Sequence, residues 1–142
     1  MLHIVMGSDL VGQPLLSHLM TALPFDLRRR VVRQQEDYAS VAREVANLVH
    51  NGAASRGVLV CGTGIGMAIA ANRMPGMRAA VCHDLYSTRR SILSNDCQIA
   101  CFGSRVIAGP NASALLEVWL NLTYDCESGS QEKLRSLDAP GT

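Results

Sequence analysis

A thiol, a hydroxyl and three glycine backbones fall within the single stretch Cys61-Gly62-Thr63-Gly64-Ile65-Gly66. The run before it, Gly57-Val58-Leu59-Val60, is short, apolar and rich in β-branched residues, and reads as a buried strand. The run after it, Met67-Ala68-Ile69-Ala70-Ala71-Asn72, reads as the opening turns of a helix. Cys61 is thereby expected at the carboxyl end of a strand, with glycine amides and a helix N-terminus beyond it. Backbone N–H groups in that position hold an anion, and the helix dipole favours thiolate over thiol. A base and an oxyanion cradle side by side suit chemistry that passes through an enediolate-like anion.

Each chemically able residue also has a plain structural reading. A free cysteine is most often a small buried hydrophobe. For Cys61 the adjoining glycine turn argues otherwise, because a residue at a strand end before such a turn faces the ligand crevice. Cys82, Cys97, Cys101 and Cys126 lack that context and read as packing residues. Gly62, Gly64 and Gly66 could instead cradle a dinucleotide, and Asp84, twenty residues after Gly64, keeps that alternative open. Against it, the pattern is G-x-G-x-G rather than G-x-G-x-x-G and follows the third strand rather than the first. A Walker lysine is missing, since Lys133 is the only lysine. Asp9, in Gly7-Ser8-Asp9, places an acid at the end of the first strand, where a plain loop carboxylate is the competing reading. His83 ends the fourth strand and precedes Asp84, which makes it an active-site candidate. His3, His18 and His50 read as structural or solvated, and Arg28-Arg29-Arg30 as a solvated strand edge.

Strand-like and helix-like runs alternate along the whole chain. Strands are expected over 2–6, 27–32, 57–61, 78–82 and 98–102, and helices over 11–23, 38–51, 65–73, 85–94, 111–123 and 129–137. Val41, Val45, Leu48 and Val49 recur at helical spacing before Asn51-Gly52 closes the segment. Pro110 suits the first turn of the fifth helix, and Met74-Pro75-Gly76 makes a turn before the fourth strand. This alternation predicts an α/β fold, a parallel sheet covered by helices on both faces. Such sheets bind ligands beyond the carboxyl ends of their strands. Gly7-Ser8-Asp9, Cys61-Gly62-Thr63, His83-Asp84 and Gly103-Ser104-Arg105 occupy those ends.

The 142 residues fit a single domain, 1–142, with 48% hydrophobic and 18% charged residues. A net charge of +1 and 4% aromatic residues leave no footprint for nucleic acid or an anionic membrane. Five cysteines, odd in number and set in or beside apolar runs, argue against a disulfide framework. Cys97 and Cys101 have no second pair at zinc spacing. Reduced thiols and a cytoplasmic location are expected. Leu2-His3-Ile4-Val5-Met6 is too short for a signal-peptide core. The longest uncharged stretch, Gly57 to Asn72, falls short of the roughly 20 residues that span a bilayer.

Taken together, four segments resemble the type-B ribose-5-phosphate isomerases and the related galactose-6-phosphate isomerase subunits. They are Cys-Gly-Thr-Gly-Ile-Gly, Ala-Ala-Asn-Arg-Met-Pro-Gly-Met-Arg-Ala, Ser-Asn-Asp and Phe-Gly-Ser-Arg-Val-Ile. The resemblance runs from residue 2 to about 137 and is strongest over 57–109. It implies a three-layer α/β/α sandwich with a five-stranded parallel Rossmann-like sheet, and an enzyme of carbohydrate metabolism that uses no metal or organic cofactor. It also implies a homodimer or tetramer with active sites shared between subunits, the C-terminal helix near 129–137 packing on the partner. By position, Cys61 corresponds to the base that shuttles a proton between C1 and C2, and Thr63 to the hydroxyl handling protons on the substrate oxygens. The amides of residues 62–66, Gly62, Gly64 and Gly66 among them, correspond to the anion hole. Asp9, Tyr38 and Asn95 correspond to substrate contacts and Arg105 to a phosphate contact.

Three departures from the family pattern stand out, the third of them at two positions. Leu10 stands where a histidine is usual, Ser94 where the ring-opening histidine is usual, and Ser130 and Lys133 where a pair of arginines is usual. A tetrose 4-phosphate has its C4 oxygen esterified and cannot close a furanose ring, so its isomerase needs no ring-opening acid. His-Asp-x-Tyr-Ser and Ile-Leu-Ser-Asn-Asp resemble the erythrulose-4-phosphate branch. The expected reaction is aldose–ketose isomerisation of a small phosphosugar, ribose 5-phosphate/ribulose 5-phosphate or a tetrose 4-phosphate analogue, with Lys133 gripping phosphate. His83 is an alternative source of the missing acid. A non-catalytic subunit of a heteromeric isomerase and a nucleotide-binding module are the other readings.

Overall fold

The computed structural model describes residues 2–23, 28–33 and 37–140. Five strands, β1 (His3–Ser8), β2 (Arg28–Arg33), β3 (Arg56–Cys61), β4 (Ala79–Val81) and β5 (Ile99–Gly103), form one sheet in the order β2-β1-β3-β5-β4. Every neighbouring pair is parallel. The helices are α1 (Gln13–Ala22), α2 (Tyr38–His50), α3 (Ile65–Asn72), α4 (Leu85–Leu93), α5 (Gly109–Asn121) and α6 (Gln131–Asp138). The three-layer α/β/α architecture expected above is the one observed. For β2 only the backbone is described, so the solvated edge expected of Arg28-Arg29-Arg30 lies outside the described residues.

The strand residues alternate between two cores because successive side chains of a strand point to opposite faces. Ile4, Met6, Val58, Val60, Ala100 and Phe102 face α1, α4 and α5, where Leu16, Leu19, Ile92, Leu116 and Trp119 are buried. Val5, Leu59, Cys61, Ile99 and Cys101 face α2 and α3, against Val41, Val45, Met67 and Ala68. Each large side chain of this kind withdrawn from water stabilises the fold by about 1.5–3 kcal/mol. Trp119 is fully buried, and its indole N–H donates to Ser91 Oγ at 3.1 Å, so no polar atom is stranded there. The Arg56 guanidinium lies 4.9 Å over the Trp119 ring and donates to the carbonyls of Trp119 and Leu122, each at 2.6 Å. That caps the C-terminus of α5 from the first residue of β3.

Element boundaries differ from the sequence reading in small ways. β4 is three residues long rather than spanning 78–82, although Cys82 N–H still bonds to Cys101 O at 2.9 Å. α1 starts at Gln13 rather than 11 because the Asp9 carboxylate binds the Gly12 N–H at 2.9 Å and holds residues 10–12 in a turn. Among the described residues no helix is long and apolar enough to cross a membrane. Four cysteines are buried and Cys126 is exposed, all of them free.

Candidate active site

The chain runs outward from β1 to β2, then returns to the other side of β1 as β3, which makes the β1/β3 boundary a topological switch point. In sheets of this kind the ligand crevice lies there, between the carboxyl ends of the two strands. Cys61 sits at its floor, 4% exposed, and its Sγ accepts the Gly64 N–H at 3.1 Å. Gly64 caps α3 with φ +78°, a left-handed conformation that costs other residues about 1–2 kcal/mol. That turn aims the amide back at the sulfur. Thr63 is exposed, and its Oγ1 accepts the Ile65 N–H at 3.3 Å, leaving the hydroxyl proton free to point into the crevice.

Neighbouring loops close round this floor. Ser104 N–H donates to Cys61 O at 2.8 Å, and Arg105 N–H to Gly62 O at 2.9 Å. Ser104 Oγ donates to Val11 O at 3.1 Å, joining the β5–α5 loop to the β1–α1 loop. Arg105 Nη1 comes within 3.6 Å of the point a Gly62 Cβ would occupy, so its cation lies directly over the glycine turn. On the other side, the Tyr38 ring rests on the first turn of α3. A Cβ on Gly66 would meet Tyr38 Cε2 at 2.5 Å, so glycine is required for that approach. Asp9, Tyr38, Cys61, Gly62, Thr63, Gly64, Gly66 and Arg105 are therefore assembled at one end of the sheet.

His83 is held beside them, at the end of β4. Its Nε2 accepts the Gly103 N–H at 2.8 Å, which requires Nε2 to be unprotonated and puts the ring proton on Nδ1. Burial pushes the His83 pKa below its ordinary value, with Asp84 opposing, so the neutral ring dominates at neutral pH. Asp84, on which the dinucleotide reading leaned, caps α4 by accepting the Ser87 N–H at 2.8 Å. The other three buried cysteines are inert: burial pushes Cys82 up to about 11, Cys97 up to about 12 and Cys101 well above its ordinary value.

Asn95 is not brought to this crevice, and Lys133 lies on α6, whose last residue Asp138 pairs with Arg78. Gly57 and Cys61 of β3 pair with Ile99 and Gly103 of β5, so Asn95 lies beyond the amino ends of both strands. Four residues of strand put it at least about 13 Å from Cys61 along the sheet. A groove of about 810 Å³ runs along β4 there, lined by Arg73, Arg78, Tyr86, Arg90, Asn95 and Leu137. Arg90 Nη2 donates to Ser94 Oγ, one helical turn further on. Sequence reasoning missed Arg78 and Arg90, and placed Ser104 at a strand end without giving it a role. Their contacts span non-local loops, apart from that of Arg90 to Ser94, where (i, i+4) spacing on α4 was the available signal.

A strand-end cysteine facing a glycine turn, in a parallel 2-1-3-5-4 sheet, defines a class, and the comparisons agree. Residues 4–137 match the model of the ribose/galactose isomerase family, and the chain belongs to that family. It is 46% identical over 102 residues to D-erythrulose-4-phosphate isomerase 2 of Mycolicibacterium smegmatis, covering 72% of this chain and 67% of that protein. It is 41% identical over 100 residues to D-erythrulose-4-phosphate isomerase of Pectobacterium atrosepticum, covering 70% and 65%. The matched segments thus span about two thirds of those relatives. Among solved structures, ribose-5-phosphate isomerase B of Clostridium thermocellum superposes with a TM-score of 0.87 at 31% identity, covering 96% of this chain and 95% of that one.

Proposed function

We propose that the protein is an aldose–ketose isomerase of a small phosphosugar, with Cys61 as the base and a cis-enediolate as intermediate. The observation that carries this is the Gly64 N–H bound to Cys61 Sγ at the mouth of a glycine turn. In the ketose-to-aldose direction, Cys61 thiolate takes a proton from C1 of the open-chain sugar. The C1–H electron pair becomes the C1=C2 bond, and the C2 carbonyl oxygen takes the negative charge. Amides of residues 62–66 meet that oxyanion, and one such donor is typically worth about 3–4 kcal/mol. Thr63 relays the hydroxyl proton from O1 to O2, and Cys61 returns its proton to C2. Asp9 and Tyr38 orient the sugar, and Arg105 meets the phosphate.

The favoured substrate is erythrose 4-phosphate/erythrulose 4-phosphate. Support comes from the erythrulose-phosphate relatives and from Ser94, whose hydroxyl is engaged by Arg90 and supplies no ring-opening acid. Ribose 5-phosphate/ribulose 5-phosphate is the other pair. Asn95 and Lys133 complete the site from a second copy in a homodimer or tetramer, because within one chain Asn95 sits at the wrong end of the sheet. The reaction takes place in the cytoplasm. The test is an NMR isomerisation assay of the purified chain on erythrulose 4-phosphate and ribulose 5-phosphate, with Cys61→Ala beside it. Turnover lost in the variant supports the mechanism, and turnover retained removes it. The heteromeric reading, favoured by Leu10 and Ser94, expects the purified chain to be silent until a second family member is added.

A further inference from the structure

We propose that Arg78 is a positioning residue that locks the Asn95 turn and the C-terminal helix α6 into one unit. This rests on the reading above that Asn95 and Lys133 contact substrate. The Arg78 side chain is 15% exposed and spreads over two distant segments. Its Nε donates to the carbonyls of Asn95 at 2.9 Å and Asp96 at 3.1 Å. Its Nη1 donates to both carboxylate oxygens of Asp138, at 2.8 and 2.9 Å, and its Nη2 to Asp96 Oδ2 at 3.3 Å. The Arg78 backbone grips the same turn: its N–H donates to Gln98 Oε1 at 2.8 Å, and its carbonyl accepts the N–H groups of Gln98 and Ile99.

Two features separate this from an ordinary surface ion pair, which would be worth little. Asp96 has φ +45°, the one positive value among the described non-glycine residues. Such a conformation persists only where its surroundings over-determine it, and Arg78 binds its carbonyl and its carboxylate together. The second feature is the fork. A planar guanidinium can hold two carbonyls and two carboxylates at once, whereas an ammonium cannot. Asp138 is the last residue of α6, and Lys133 lies on the same helix. Asn95 and Lys133, 38 positions apart by numbering, are thereby fixed relative to one another through a single side chain.

The test is a double-mutant cycle on the intact protein. KM and kcat for erythrulose 4-phosphate are measured for wild type, Asp138→Ala, Lys133→Ala and the pair. The inference expects Asp138→Ala to raise KM about three- to tenfold with kcat within about twofold, and to add nothing once Lys133 is gone. Arg78→Lys should behave like Arg78→Ala, and hydrogen exchange should quicken at residues 95–98 and in α6 together. An unchanged KM in Asp138→Ala, or effects that multiply in the pair, overturns the inference. If the wild type turns over neither sugar, the isomerase reading fails. The clamp is then judged on binding of inorganic phosphate by the same variants. Weaker binding in Asp138→Ala that vanishes in the Lys133→Ala background supports it, and equal binding overturns it.

Discussion

Cys61 carries one backbone donor on its sulfur before any substrate arrives, so a thiolate there is partly solvated by the protein itself. On the proposed mechanism, replacing it removes the base and leaves the glycine turn. Cys61→Ser should cut kcat by about 100- to 10,000-fold with an unchanged circular dichroism spectrum. At the other buried thiols burial outweighs every such donor, the Thr88, Ser91 and Cys101 contacts of Cys82 included. At pH 8 iodoacetamide should label Cys126 readily and leave Cys82, Cys97 and Cys101 unmodified, since burial holds all three far above that pH. Peptide mass mapping reads this directly. His83 gives a pH signature of stability. Its folded pKa lies below the ordinary 6.5, so the unfolded chain binds the proton first as pH falls. Thermal stability should therefore decline as pH drops below about 6.5, and His83→Gln should flatten that part of the profile.

The elements that make the crevice were largely legible as local pattern. Gly57 to Cys61 announced a doubly buried strand, and β3 begins one residue earlier, at Arg56. Ile65 to Asn72 announced the helix that supplies the amides. What local pattern does not encode is strand order. Nothing near residue 99 says that β5 enters between β3 and β4, and that insertion brings Ser104 and Arg105 over Cys61 and Gly62. Arg78 escaped for a related reason. It follows the Met74-Pro75-Gly76 turn and reads only as a strand start, while its carboxylate partners are eighteen and sixty positions away. At this scale the sharpest test is Gly64→Ala. A left-handed N-cap without glycine should lower stability by about 1–2 kcal/mol in chemical denaturation and depress kcat, because the amide that meets the sulfur is displaced. Asp84→Ala, which strips the cap from α4, should lower the melting temperature and leave kcat near wild type.

Across the whole molecule, the residues assigned to substrate fall into two groups at opposite ends of one parallel sheet. Cys61, Thr63, Asp9 and Arg105 stand above the strand carboxyl ends, and Asn95 stands beyond the amino ends. If two copies complete each other's sites, two inactive variants should rescue one another. Co-expressed Cys61→Ala and Asn95→Ala chains should recover about a quarter of wild-type activity, since half the dimers are mixed and each has one intact site. Equal inactivity of the mixture and the separate variants would show that both residues serve one site within a chain.

The same separation has a consequence for dilution. A catalyst whose reacting groups all lie on one chain keeps its rate per molecule at any concentration. If two copies share the site as proposed, the rate per molecule would follow the fraction assembled, falling toward first order in protein once the concentration drops below the dissociation constant of the pair. Folded chains would persist in that regime, with their thiols and helices intact, and do nothing. Loss of turnover without loss of structure on dilution, regained on concentrating, is how an isomerase built in halves would behave in a cuvette.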